Sequence, residues 1–295
     1  MGMRTKGLDL SEWNEGIDFQ AIKNAGYTFV ILRAGFTGYG TGTSYKKDSC
    51  FERFYQKAKA VGLNVGAYWY SCANTKAKGK AEADFMYENC LKGKQFEYPV
   101  YIDVEDNHWQ VQSKRGTTDA IIEFCSALES RKYFAGVYAS YNWFKNYIIE
   151  SEVARFTHWL AYWTGRKPAV GFNYALWQNS SEGQVAGFRV DTNICYEDFP
   201  AIIKENGFNG FSKEVEPVEP EKPEEPVQPE GLKAGDKVVI VGTGNGSSYG
   251  NSNTAYGLGY IRYILKVWDG RPYPYQVGNS AGTTGFYTKE ALRKL

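Results

Sequence analysis

Histidine is nearly absent from this sequence. Only His108 and His158 are present, so a histidine-rich metal centre, or a serine or cysteine triad needing a histidine base, has poor support. Five cysteines, Cys50, Cys72, Cys90, Cys125 and Cys195, are scattered without a CxxC pair. Such an odd, dispersed set reads as buried free thiols made in a reducing compartment. No apolar run approaches the roughly 20 residues that span a bilayer. Met1 to Gly7 leads straight into a strand-like segment without the apolar core of a signal peptide, so the expectation is synthesis in the cytoplasm. The formal net charge is +1, which carries no global signature for nucleic acid. No metal and no cofactor are expected.

Aromatic residues, in contrast, are plentiful at 16%, with 8 Trp and 23 Tyr. They build cores, and their faces also suit the apolar faces of sugars. The most informative stretch is Tyr98-Pro-Val-Tyr-Ile-Asp-Val-Glu-Asp106. Val100, Ile102 and Val104 alternate with Tyr101, Asp103 and Glu105, the pattern of a buried strand that ends in acid. Residues two apart on a strand share a face, which places the Asp103 and Glu105 carboxylates roughly 7 Å apart or less. Two like charges that close resist double ionisation, so one carboxyl can stay protonated near neutral pH and act as a proton donor. An ordinary strand end facing water would carry the same residues, so the rest of the chain must decide.

Short apolar strands alternate with helical segments through the first 200 residues. Strand candidates lie at 7–11, 28–34, 64–70, 98–105, 134–138, 158–163, 174–178 and 188–192. Strands separated by crossover helices imply a parallel sheet, and eight of them imply an irregular (β/α)8-type barrel in which the last helices are short or missing. Chemistry in such barrels sits at the C-terminal strand ends. Asp9 follows the first strand, Asp103 and Glu105 end the fourth, and Asp191 ends the eighth. The first and eighth strands adjoin in a closed barrel, so Asp9 and Asp191 should meet across the mouth from the other pair.

Composition changes abruptly after this region. Pro217, Pro220, Pro223, Pro226 and Pro229 recur every third residue among seven Glu and two Lys, the period of a polyproline II spacer on the order of 40 Å long. The remainder, with eight Lys/Arg against three Asp/Glu, reads as a small all-β barrel domain with turns at Asp269-Gly270 and Gly278-Asn279. The expected division is a catalytic barrel at 5–210, a Pro/Glu-rich linker at 211–230 and a β-rich domain at 231–295. A basic, aromatic-rich unit on a stiff arm suits an anionic, sugar-bearing surface.

Four stretches in order, Gly7-Leu-Asp-Leu-Ser11, Tyr101-Ile-Asp-Val-Glu105, Leu176-Trp-Gln178 and Val190-Asp-Thr-Asn193, together resemble glycoside hydrolase family 25, the lysozyme-type muramidases of bacteria and phages. The resemblance covers roughly residues 5 to 205. It implies an irregular (β/α) barrel that hydrolyses the β-1,4 bond between N-acetylmuramic acid and N-acetylglucosamine in peptidoglycan. Glu105 would be the general acid/base and Asp103 the acid assisting the substrate's acetamido group. Asp9 and Asp191 would line the catalytic floor. Tyr68 and Tyr138 match aromatic positions near the sugar, and Trp69, Gln178 and Asn193 join them as substrate-binding candidates, although Trp69 stands where many relatives have His. The tail, through Gly235-Asp-Lys-Val-Val, Gly270-Arg-Pro-Tyr-Pro-Tyr275 and Gly285-Phe-Tyr287, resembles Src-homology-3-like cell-wall modules of phage lysins. The implied partners are peptidoglycan and, through the tail, anionic wall polymers. The implied setting is a phage-type endolysin that waits in the bacterial cytoplasm and leaves through a holin pore, with export of a bacterial autolysin as the alternative. Rival readings are a non-catalytic wall-binding protein and a chitinase-like enzyme. The chitinase strand motif Asp-x-x-Asp-x-Asp-x-Glu would place acids where Tyr98 and Tyr101 stand.

Overall fold

The structure is a computed structural model that describes residues 4–38, 44–106, 113–212, 231–255, 257–279 and 282–295. His108, Tyr256 and the proline-period linker lie outside the described residues. The chain divides into two compact units, Met1–Ser212 and Lys213–Leu295.

In the first unit the eight apolar segments form β1 (Thr5–Leu10), β2 (Phe29–Thr37), β4 (Asn64–Tyr70), β5 (Val100–Asp103), β6 (Ala135–Ser140), β7 (Thr157–Ala161), β8 (Leu176–Val185) and β9 (Phe188–Cys195), while a short β3 (Tyr45–Lys47) pairs beyond β2. Pairing of β1 with both β2 and β9 closes the ring. Among the barrel strands every neighbouring pair from β1 through β8 is parallel, whereas β3 lies antiparallel to β2 outside the ring. The exception is β9, antiparallel to both β8 and β1. The parallel sheet expected from the sequence therefore runs through seven barrel strands and reverses at the eighth, one irregularity of this (β/α)8-type barrel. Ala186 and Gly187 both take positive φ, 51° and 81°, which is the backbone of a tight two-residue hairpin turn. With no room for a crossover helix, the eighth barrel strand must reverse. An irregular loop likewise replaces a helix between β7 and β8, as the thin helical signal there implies.

The helices that do form are capped from the sequence. Thr75 accepts from Lys78 N at the start of α3 (Lys76–Met86), and Ser113 accepts from Gly116 N at the start of α4 (Lys114–Glu129), each satisfying an orphan donor of the first turn. The remaining helices are α1 (Phe19–Asn24), α2 (Phe51–Ala60), α5 (Tyr141–Asn146), α6 (Glu150–Val153) and α7 (Phe199–Asn206). Gly79 lies inside α3 because α4 crosses there: a Cβ at this position would stand 2.2 Å from the Ala120 carbonyl oxygen.

Large rings fill the barrel interior. Phe29 stacks on Tyr98 at 4.1 Å, and Trp159 meets Tyr138 at 4.5 Å, Tyr101 at 5.2 Å and Tyr68 at 5.9 Å. Glycines opposite make this packing possible. A Cβ on Gly7 would enter the Phe29 ring, and one on Gly136 would press on Tyr101. The interior is therefore a solid plug with a floor of aromatic carbon beneath its C-terminal mouth.

The second unit is all-β. Strands β10 (Lys237–Ile240), β11 (Gly244–Asn245), β12 (Thr254–Ala255), β13 (Ile261–Val267), β14 (Tyr275–Asn279), β15 (Gly282–Tyr287) and β16 (Leu292–Lys294) make one curled antiparallel sheet in the order β12-β11-β15-β14-β13-β10-β16. Val238, Ile240, Ile264, Val277 and Tyr287 form its core.

Replacing Gly79 by Ala should cost about 1–3 kcal/mol, read as a lower thermal midpoint, because the added methyl meets backbone rather than a side chain that can turn away.

Candidate active site

At the barrel mouth a groove of about 420 Å³ is lined by Asp9, Asp103, Glu105 and Asp191, with Tyr68, Arg33, Trp13 and Arg189 among its walls. Backbone register brings the acids there. Asp9 on β1 is paired directly with Asp191 on β9, so both side chains leave the same face of the sheet. Asp103 is the last residue of β5. Glu105 lies two residues beyond the strand, not within it as the alternation suggests. Val104 N still bonds Tyr138 O at 3.0 Å, which continues the sheet's course for one residue and keeps Glu105 over the groove. Because β9 runs backwards, Asp191 reaches the mouth from inside its strand rather than from a C-terminal end.

A buried polar layer holds these acids. Gln178 Nε2 donates to Asp9 Oδ2 at 3.1 Å and to Asp191 Oδ2 at 3.2 Å. Asn193 Nδ2 donates to Asp9 Oδ2 at 2.7 Å, and Trp159 Nε1 donates to Asn193 Oδ1 at 2.8 Å. The Gln178 amide cannot flip, since its Oε1 accepts from Tyr138 Oη at 3.1 Å and from Trp163 Nε1 at 3.2 Å. Asp103 has no comparable support: its Oδ1 is buried and has no hydrogen-bond partner. The nearby guanidinium of Arg33 is already engaged, with Nε on Asp48 at 2.7 Å and Nη2 on Glu12 at 2.8 Å.

The electrostatic outcome is a cluster that retains protons. Burial raises Asp103 well above the ordinary carboxylate range, and the charges of Glu105 and Asp9 add to it. Asp9 is raised by burial and then by Asp191, against the hydrogen bonds from Asn193 and Gln178. Asp191 is raised by burial, with Arg189 opposing. Glu105 is pushed up to about 7, first by the protein atoms crowding it and then by the charge of Asp191, against a hydrogen bond from Tyr138. Its side chain is nonetheless exposed: solvent enters along the groove while the walls close the other sides. A carboxyl that is half protonated near neutrality and reachable from a groove can give a proton and take it back.

The sequence pattern described as "Glycosyl hydrolases family 25" matches residues 8–188, more than half of the chain. The chain belongs to glycosyl hydrolase family 25. An autolytic lysozyme of Clostridium acetobutylicum is 29% identical over 182 residues, 62% of this chain and 52% of that protein. Lysozyme M1 of Streptomyces globisporus is 26% identical over 201 residues, 64% of this chain and 66% of that one. The crystal structure of a bacterial lysozyme from Streptomyces coelicolor, 26% identical, is similar with a TM-score of 0.54 over 64% of this chain and 90% of the other. The chain spans about half the length of the first of these relatives. The family match ends before the second unit begins.

Within this family 25 barrel the sequence candidates separate into three sets. The four acids and Tyr68 converge on the groove. Gln178, Asn193 and Tyr138 are 2%, 1% and 7% exposed and hold carboxylates or one another, so they orient the acids rather than form the groove's open wall. Trp69 is a correction. Alternation along β4 turns it away from Tyr68, out of the barrel, where it is fully buried against Phe85 and donates to Thr37 Oγ1 at 3.1 Å. Sequence reasoning passed over Trp159, which floors the site, and Trp13, a groove-lining ring that is 81% exposed. The signal for Trp13 is local: it follows Asp9 by four residues, just past the strand end where the acids gather.

Protonation couples the site to stability with a definite sign. A carboxyl whose folded pKa lies above its unfolded value stabilises the fold fully below the unfolded value and loses that contribution as pH rises through the folded one. Asp103→Asn should therefore raise the thermal midpoint by a few degrees at pH 8 and change it little at pH 4. Calorimetry at the two pH values reads the difference.

Proposed function

We propose that this family 25 protein is a peptidoglycan hydrolase, an N-acetylmuramidase that cleaves the β-1,4 bond from N-acetylmuramic acid to N-acetylglucosamine, with cell-wall degradation for host lysis as its role. The observation that carries the reading is Glu105, a groove-facing carboxyl held near 7 beside a second acid that is buried. Protonated Glu105 gives its proton to the glycosidic oxygen. The acetamido carbonyl of the muramic residue attacks the anomeric carbon, and Asp103 Oδ1 accepts the acetamido N–H, orienting the group as the oxazolinium forms. Glu105 then takes a proton from the water that opens this ring, so configuration is retained. The unpartnered Asp103 Oδ1 favours this substrate-assisted course over direct displacement by a carboxylate, because an acetamido N–H supplies the donor that the protein does not. Trp13 and Tyr68 offer ring faces to the glycan. A barrel that only binds walls would not need four desolvated acids, which cost stability without a reaction to use them.

For the second unit we propose adhesion to anionic wall polymers. Two cations there rest on aromatic rings, Arg271 over Tyr249 at 3.7 Å and Lys266 over Trp268 at 3.9 Å. Neither cation has a carboxylate partner among the described residues. Tyr249 is 57% exposed, and Tyr273 N donates to Ser248 O at 3.2 Å, clasping the two loops that carry the first pair.

Glu105→Gln should fold normally and lose about 10²–10⁴-fold in turnover, while wild-type kcat/KM falls as pH rises through about 7, where the donor loses its proton. Digested peptidoglycan, reduced with borohydride, should yield muramitol; glucosaminitol would point instead to the chitinase-like alternative. Tyr249→Ala/Arg271→Ala in the whole chain should weaken sedimentation with Gram-positive walls about tenfold but not weaken it further once phosphodiester polymers are stripped from those walls. Equal binding by wild type and variant would remove the adhesive role of these loops.

A further inference from the structure

Glu82, on α3, is fully buried, and among the described residues no lysine or arginine forms an ion pair with it. Three donors converge on it: Thr37 Oγ1 at 2.6 Å, Ser71 Oγ at 2.5 Å and Cys72 N at 3.1 Å. Thr37 ends β2, and Ser71 and Cys72 follow β4, so one carboxylate ties together two adjacent strand ends at the mouth of the barrel. Both tied segments reach the acids. Ser71 N donates to Asp103 O at 3.0 Å. Cys72 Sγ donates to Asp106 Oδ2 at 2.6 Å, and Asp106 is 3% exposed and directly follows Glu105. The negative charge of Asp106 in turn helps to raise both Asp103 and Glu105. Glu82 does not line the groove and touches no reacting atom.

We infer that Glu82 is a positioning residue, whose buried carboxylate fixes Cys72 and through it holds Asp106 against the catalytic pair, so that Glu105 keeps its proton in the working pH range. This inference rests on the muramidase reading for its kinetic consequences only. The arrangement also explains why a buried acid without a cation is retained. Burial pushes Glu82 up to about 7, so the ionised form that accepts all three hydrogen bonds is one that the fold stabilises poorly. The other ionisable groups around it are Lys78 on its own helix, whose charge favours ionisation, Tyr45 on β3, and the Cys72–Asp106 pair. Thr37 Oγ1 and Cys72 N share Oε1 while Ser71 Oγ donates to Oε2, so glutamine at this position, with one acceptor oxygen, leaves either Ser71 or both Thr37 and Cys72 without a good acceptor.

The test uses the full chain carrying Glu82→Gln. Thermal unfolding at pH 8 should show a midpoint no lower than wild type, since a buried charge has been removed. Turnover on peptidoglycan should fall about tenfold with KM within about twofold, and the upper limb of the pH–rate profile should move down by about half a pH unit as Asp106 turns towards water. Cys72→Ala should reproduce the downward movement, and Cys72→Ser, which restores a donor, should reverse most of it. Nuclear magnetic resonance titration of the Glu105 carboxyl reads the same displacement without any substrate, so it tests the inference whichever glycan the enzyme cleaves. A Glu105 titration identical in wild type and folded Glu82→Gln would overturn it, as would a loss of turnover that merely tracks a loss of thermal stability. Absence of muramitol from wild-type digests would instead end the muramidase reading and leave the Glu82 titration result standing.

Discussion

Dehydration of carboxylates without a matching cation is the constraint around which this barrel is built. Asp103 is 3% exposed, sits above a floor of aromatic carbon, and shares the mouth with three further acids. Both guanidinium groups at the groove are engaged elsewhere, Arg33 with Glu12 and Asp48 and Arg189 with Glu182. Removing an ion from water in this way costs several kcal/mol unless the group takes a proton. The acids are therefore driven towards their protonated forms, and that response is what lets Glu105 hold a proton near neutrality. Mutual repulsion among the acids adds to the effect but comes after burial for Asp9, Asp103 and Glu105.

The rest of the first unit can be understood as support for that arrangement. Trp159 packs against Tyr68, Tyr101 and Tyr138 and reaches Asn193, so a single indole both excludes water and orients a holder of Asp9. Gln178 bridges the two acids of β1 and β9, with its own orientation set by Tyr138 and Trp163. On the opposite side Glu82 gathers the ends of β2 and β4 beneath the loop carrying Glu105 and Asp106. A rigid frame matters because proton transfer to a leaving oxygen tolerates little displacement of the donor.

Eight strand candidates became eight barrel strands, because apolar runs bounded by turns leave few other options for burying both faces of a sheet. The orientation of the last strand was missed: the Ala186-Gly187 turn signal is short, and a strand carries no local mark of its direction. Trp69 is a substrate-binding candidate because it stands where many relatives have His, yet period-two alternation sends it to the face opposite Tyr68. Gln178 and Asn193, substrate-binding candidates in the sequence, hydrogen-bond Asp9 and, for Gln178, Asp191; a polar residue beside a ligand and one beside an acid look alike in a sequence.

By itself the sequence determined the strand count, the strand-end position of Asp103 and the ordered set of acids, because these follow from hydrophobic periodicity and from motifs confined to a few consecutive residues. Only the tertiary structure decided which face each aromatic serves, which polar groups hold which acid, and which carboxyls keep a proton. Those properties depend on burial and on partners far apart in the chain, such as Gln178 with Asp9 or Asn193 with Trp159, and closure of the barrel is the event that brings them together.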